Sequence, residues 1–286
     1  MIIQAGTIQK MRYVEDDGSR FRFENEDVTV LLNASDIQEE LTHGDERELF
    51  LYVDRRGELT GTTFLPEMTV GEYGWATVLR QDDEGVYVDI GSTIEVLVDR
   101  GDLPRLRKLW PDVGDRLFMT LRTDGGGTLF ARLATETVVQ EMIDEADATL
   151  HNADLQARPY RLLPVGTFLL TEGRKMYRIF VHESERKEEP RLGSLVDVRV
   201  IGVKEDGTLN GSFLPRREER LDDDAQTIFT YLQEVGGEMP FHDRSDPEEI
   251  RGMFNMSKGA FKRALGRLMK KGLVEQKDGW TTLIQK

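Results

Sequence analysis

The chain has 286 residues, of which 38% are hydrophobic and 32% charged, with a net charge of −15 and no cysteine. Apolar residues in strand and helix periods exclude a disordered chain, and the lack of thiols excludes disulfides, cysteine-ligated zinc and iron-sulfur clusters. No run of 18 apolar residues occurs and no basic-then-apolar leader precedes MIIQAGTIQ, so a cytoplasmic protein without a membrane span is expected.

A first module, residues 1–66, is read from GTIQKM (Gly6 to Met11), RFRF (Arg20 to Phe23), VTVLL (Val28 to Leu32) and a closing hairpin, His43 to Phe64. The second, residues 67–135, is the clearest. WATVL (Trp75 to Leu79), the turn QDDEG, the alternating VYVDI (Val86 to Ile90) and IEVLV (Ile94 to Val98) precede a crossing, GDLPRLRKLW, and a hairpin from Val113 to Leu133. Five short strands with a crossing between the third and fourth is the order of the oligonucleotide-binding (OB) barrel. The run GVYVDIGSTIEVLV resembles the signature of the S1 RNA-binding domain. Val138, Val139, Met142, Ile143, Ala146 and Leu150 then recur at helical spacing, which predicts a linker helix in residues 136–159, most simply a packing strut. A third module, residues 160–221, holds VGTFLLT (Val165 to Thr171), KMYRIFV (Lys175 to Val181) and a hairpin from Leu192 to Phe213, with HESERKEEP interrupting its middle strands.

The three hairpins are an internal repeat. Gly44, Gly114 and Gly193 open them and Gly57, Gly127 and Gly207 mark their turns, with separations of 13, 13 and 14 residues. From residue 222 to 286 the pattern changes to helices. AQTIFTYLQEV (Ala225 to Val235) is amphipathic, Asp246 caps a short helix that begins at Pro247, and Ser257 caps a long one that ends at Gly272. LVEQ, the turn KDG and WTTLI follow as a hairpin. This order resembles a winged-helix domain. The expected fold is mainly β with α: three tandem S1-like OB-fold barrels followed by a winged helix.

The net charge hides a division. Residues 1–159 hold 16 Lys and Arg against 32 Asp and Glu, residues 160–221 hold 12 against 10, and residues 225–286 hold 10 against 8. A polyanion would therefore find its seat in the third barrel and the winged helix, while the acidic half suits solubility or a protein partner.

Single-stranded nucleic acid needs aromatic faces for its bases and cations for its phosphates. In the second barrel Tyr73, Trp75 and Tyr87 fall on the outward side of their strands and could form a stacking platform, or pack against an adjoining barrel. In the third, Arg174, Lys175, Tyr177 and Arg178 combine cations with an aromatic, or form an ordinary solvated edge. On the last long helix Phe261, Ala264, Leu265 and Leu268 share one stripe. Lys262, Arg263, Arg267 and Lys270 lie opposite with Gly259 and Gly266, and Lys258 sits at the helix start. That basic face suits phosphates, although the outer face of any amphipathic helix is charged.

Catalysis is not expected. His43, His151, His182 and His242 are scattered without metal or triad spacing, the Gly125 to Gly127 run lacks the rest of a Walker loop, and Asp82-Asp83 and Asp222 to Asp224 fall in turns or linkers. No cofactor is expected. Taken over its whole length, the order of modules is similar to that of the conserved virulence factor B family of bacterial RNA-binding proteins. That resemblance implies RNA binding and an effect on gene expression, with single-stranded RNA as partner. The alternatives are a transcription regulator reading duplex DNA through the winged helix, and an adaptor binding protein through its acidic half.

Overall fold

All six hairpin glycines stand at positive φ: Gly44, Gly114 and Gly193 at 90°, 88° and 78°, and Gly57, Gly127 and Gly207 at 80°, 85° and 72°. A side chain there is strained, which ties the repeat to glycine. At the second turn the Asp124 carboxylate accepts the N–H groups of Thr128 and Gly126 at 2.9 and 2.8 Å, which holds its carboxyl below the usual range.

The computed structural model describes residues 5–38, 40–214 and 223–284. The chain divides into two compact units, Met1–Leu214 and Pro215–Lys286. In the first unit, β1 (Thr7–Asp16), β2 (Arg20–Glu24), β3 (Thr29–Asn33), β4 (Glu46–Val53) and β5 (Leu59–Thr62) form a sheet in the order β3-β2-β1-β4-β5. Met11, Phe23, Leu32, Leu49 and Leu51 fill its core. No backbone ladder joins β3 to β5 among the described residues. Instead, Thr60 Oγ1 donates to Leu31 O at 2.6 Å, and Thr62 Oγ1 and Thr63 N donate to Asp36 O at 2.9 and 2.8 Å, so the seam of the first barrel is closed by these separate bonds in place of a ladder.

The second module closes. It comprises β6 (Tyr73–Gln81), β7 (Gly85–Asp89), β8 (Glu95–Asp99), β9 (Arg116–Thr123) and β10 (Leu129–Leu133). β8 meets β10 in parallel at Leu97 and Phe130, while β6 pairs antiparallel with β7 and β9. That is the OB order. Ala76, Val78, Val86, Val88, Val96 and Val98 point inward and are buried, as their alternation requires.

The predicted linker helix is largely absent. α1 (Glu136–Met142) ends at Met142, and Ile143 is already extended. Beyond it the chain bonds to the third module: Asp144 N donates to Met176 O at 2.9 Å and Ala146 N to Gly207 O at 3.0 Å. Those tertiary bonds replace the helical ones that the spacing of Ala146 and Leu150 implied.

The third barrel starts earlier than residue 160. Its strands are β11 (Asp154–Leu163), β12 (Gly166–Thr171), β13 (Arg178–His182), β14 (Val196–Val203) and β15 (Leu209–Ser212), closed by parallel pairing of β13 with β15. Pro159 concealed the first strand. It sits at the register shift between β11 and β12, a bulge position where a proline is tolerated inside a strand. VGTFLLT is consequently the second strand. HESERKEEP interrupts nothing: it opens the crossing from β13 to β14, with a short 3-10 turn at Glu183–Glu185.

The second and third barrels share a core. Phe118, Ala134, Val139, Tyr160 and Leu170 form one buried cluster, with Val139 supplied by α1. Glu172 ties Arg116 at 2.8 Å to Arg158 at 3.1 Å, and Asp115 pairs with Arg191 at 3.2 Å.

The second unit holds α2 (Asp223–Glu234), β16 (Glu238–Met239), α3 (Pro247–Phe254), α4 (Lys258–Lys270), β17 (Val274–Lys277) and β18 (Trp280–Leu283). Asp246 caps α3 by accepting from Glu248 N at 2.8 Å, and Ser257 caps α4 by accepting from Ala260 N at 3.2 Å. Asp278 and Gly279, with φ of 51° and 86°, turn the wing as a primed hairpin turn does. β16 adds a third strand beside β18, too short to leave a period in the sequence. Asp222 of the acidic run lies outside the described residues. No described helix is long and apolar enough to cross a membrane.

Candidate nucleic-acid interface

The second-barrel platform comes apart. Tyr73 and Trp75 do point away from the barrel core, but their rings lie 6.1 and 5.2 Å from that of Phe118 and pack against the cluster shared with the third barrel. Tyr87 stands elsewhere. The Arg80 guanidinium lies 3.4 Å from its ring centroid, held by Glu95 at 3.0 Å and Asp82 at 3.3 Å. A cation thus occupies the place a base would take.

The third-barrel cluster also divides. Arg174 and Lys175 are exposed in the loop between β12 and β13. Tyr177 packs on the barrel core. Arg178, with its side chain 11% exposed, pairs with Glu136 at 2.5 Å. Its Nε donates to the Tyr160 hydroxyl at 3.3 Å, and that hydroxyl donates to Glu136 at 2.7 Å. Burial, and then Glu136, push the Tyr160 phenol well above its ordinary range. Arg178 is a strut between α1 and the barrel. Arg178→Ala leaves Glu136 with the Tyr160 hydroxyl and the more distant Arg161 at 3.8 Å and is expected to cost about 1.5 kcal/mol in urea unfolding; a change below about 0.5 kcal/mol would remove the strut role.

A different aromatic row lies on the outer face of β12 and β13. Phe168 and Phe180 are directly paired across the two strands, with rings 4.8 Å apart. Phe180 meets the exposed His182 edge-on at 6.3 Å, and Tyr160 lies 6.3 Å behind Phe168. Both phenylalanines are half-buried, but Phe168 packs against the cluster shared with the second barrel and has the Arg178 guanidinium 4.6 Å from its ring centroid, so the row reaches solvent at Phe180 and His182, while Leu169, Ile179 and Val181 on the opposite face are fully buried. These are strands two and three of the barrel, the face through which OB folds take oligonucleotides. The alternation in GTFLLT and RIFVH carried the signal. Counting β12 as the first strand hid the pairing.

On α4 the stripe of Phe261, Ala264, Leu265 and Leu268 is buried. Lys262, Arg263, Arg267 and Lys270 are all exposed on the other side, and the helix carries no acid. Lys258 is half-buried, its Nζ donating to Arg244 O at 3.3 Å. A Cβ built at Gly266 meets nothing within 4 Å. Gly266→Ala should therefore stabilise the winged helix by roughly 1 kcal/mol, read from thermal or urea unfolding. A loss of stability instead would reveal a packing role for the bare backbone.

Sequence comparison adds close relatives. The chain is 47% identical over 285 residues to conserved virulence factor B of Staphylococcus saprophyticus, covering 98% of this chain and 95% of that one. With the Staphylococcus epidermidis protein of that name it shares 48% over 286 residues, at the same coverage. The chain belongs to the conserved virulence factor B family. Family models agree module by module. An S1 domain matches residues 5–64, the CvfB first S1-like domain 73–132, the second domain of virulence regulatory factor CvfB 139–215, and the CvfB-like winged helix domain 226–283. The match to the second CvfB domain takes in β11. A crystal structure from Streptococcus pneumoniae, described as a multidomain protein with nucleic acid binding domains, aligns over 98% of both chains with a TM-score of 0.66 and 36% identity. In conserved virulence factor B terms, the aromatic row of β12 and β13 lies in the second CvfB domain and the basic helix in the winged-helix domain.

Proposed function

We propose that this chain is a non-enzymatic, cytoplasmic RNA-binding regulator of gene expression. Single-stranded RNA stacks its bases on Phe180 and His182, and the basic face of α4 carries phosphates. Phe180 and its neighbour His182 carry the reading: a half-buried ring beside an exposed one on strand three offers flat faces to unpaired bases, whereas duplex DNA keeps its bases stacked away. Arg174 and Lys175, exposed beside the same barrel, suit the strand's phosphates. The acidic surround of Tyr87, which includes Asp82, Glu84, Asp89 and Glu95, repels a phosphate chain and leaves the second barrel as a spacer or a platform for protein.

Fluorescence anisotropy of labelled single-stranded RNA and duplex DNA with the whole chain, at low and moderate salt, tests the reading. Tighter, salt-sensitive binding of the RNA is expected. Preference for the duplex would transfer the function to a DNA regulator acting through α4, and silence toward both would favour the protein adaptor.

A further inference from the structure

The wing of the second unit borders an open surface cleft of about 380 Å³, lined by His242, Asp243 and Arg244 from the segment after β16 and by Gln276, Lys277, Asp278 and Gly279 from the hairpin. Its walls are held from behind. Thr281 Oγ1 donates to Phe241 O at 2.6 Å in a buried bond and accepts from Gln276 Nε2 at 3.4 Å. Ser245 Oγ accepts from His242 N at 2.9 Å, and Lys258 reaches back from α4 to Arg244 O. His242 Nδ1 accepts from Arg244 N at 3.3 Å. In the neutral ring, the proton is then on Nε2.

We infer that this cleft binds one nucleotide whose base carries an amino group, as adenine, cytosine and guanine do. Its volume falls within the range of small-molecule sites. The chemistry is mixed: Arg244 and Lys277 offer cations for a phosphate, while Asp243, Asp278 and the Gln276 amide offer acceptors for base N–H donors. With two cations set against two carboxylates, the lining is neutral and disfavours a bare anion. A ligand with an anionic end and a donor-bearing end satisfies both halves. A uracil nucleotide, whose base has N3–H as its single donor, meets one carboxylate and leaves the other to water, whereas an amino group brings two N–H donors. The inference rests on the RNA-binding reading only for the source of the nucleotide, a unit of the bound strand.

Saturation-transfer NMR and calorimetry of the full chain with adenosine 5′-monophosphate, uridine 5′-monophosphate and inorganic phosphate provide the test. Adenosine 5′-monophosphate is expected to bind at least about tenfold more tightly than the other two probes, and an Arg244→Ala, Lys277→Ala double variant to lose about tenfold of that affinity. Both side chains are exposed, and an unchanged melting temperature checks that the variant stays folded. Absence of adenosine 5′-monophosphate binding, equal binding of uridine 5′-monophosphate or of phosphate alone, or binding indifferent to the double variant would overturn the site. The whole chain titrated with single-stranded RNA separates the two readings. Failure to bind RNA with retained mononucleotide binding sinks the RNA function and keeps the cleft, and the reverse result sinks the cleft alone.

Discussion

Replacing Lys262, Arg263, Arg267 and Lys270 together with glutamate is expected to weaken single-stranded RNA binding by two to three orders of magnitude. Each phosphate neutralised on a single strand contributes about 0.7 to the slope of log affinity against log salt, so four lost contacts remove a slope of roughly 3 and nearly three decades of affinity at ~0.1 M salt. Reversing the charges adds repulsion. The fold should survive, because all four side chains are exposed while the buried stripe of Phe261, Ala264, Leu265 and Leu268 is untouched. Anisotropy across a salt series measures both quantities. Unchanged affinity and slope would detach α4 from the function.

Phe180→Ala has the second largest expected effect and a different signature. Stacking of a base on an aromatic ring is worth about 1–3 kcal/mol, which predicts a loss of roughly 5- to 150-fold. The salt slope should hold, because stacking releases no counterions. Trp75→Ala is the contrasting variant. Its ring packs on Phe118 in the shared cluster, so it is expected to cost about 3 kcal/mol of stability with little change in RNA affinity. A Trp75→Ala protein that stays stable and loses binding would restore the second-barrel platform and displace Phe180.

Most of the architecture was legible because its markers are local. A glycine at positive φ leaves its spacing in the chain, and Asp246, Pro247 and Ser257 announce helix starts through caps that need only neighbouring backbone. The inward and outward sides of β6 and β7 followed from alternation alone. What failed was non-local. The helical spacing through Leu150 was overridden by bonds from Asp144 and Ala146 to the third barrel. Pro159 reads as a break until the bulge it occupies is seen. The same limit misplaced the site. Tyr73, Trp75 and Arg178 look available in one dimension, yet neighbouring modules cover or hold them, whereas Phe168 and Phe180 become a pair only once the strands are ordered.

The cluster of Phe118, Val139, Tyr160 and Leu170 sets a limit on how this chain can be divided. A cut at residue 159 severs β11 and removes Tyr160 from its contacts, and a cut ahead of Glu136 bares the rings of Tyr73, Trp75 and Phe118 to water. An apolar face opened in this way is a site for self-association. Truncated pieces of the first unit would therefore owe much of their apparent binding or precipitation to that wound, and the second and third barrels should be expressed, degraded and inherited as one piece.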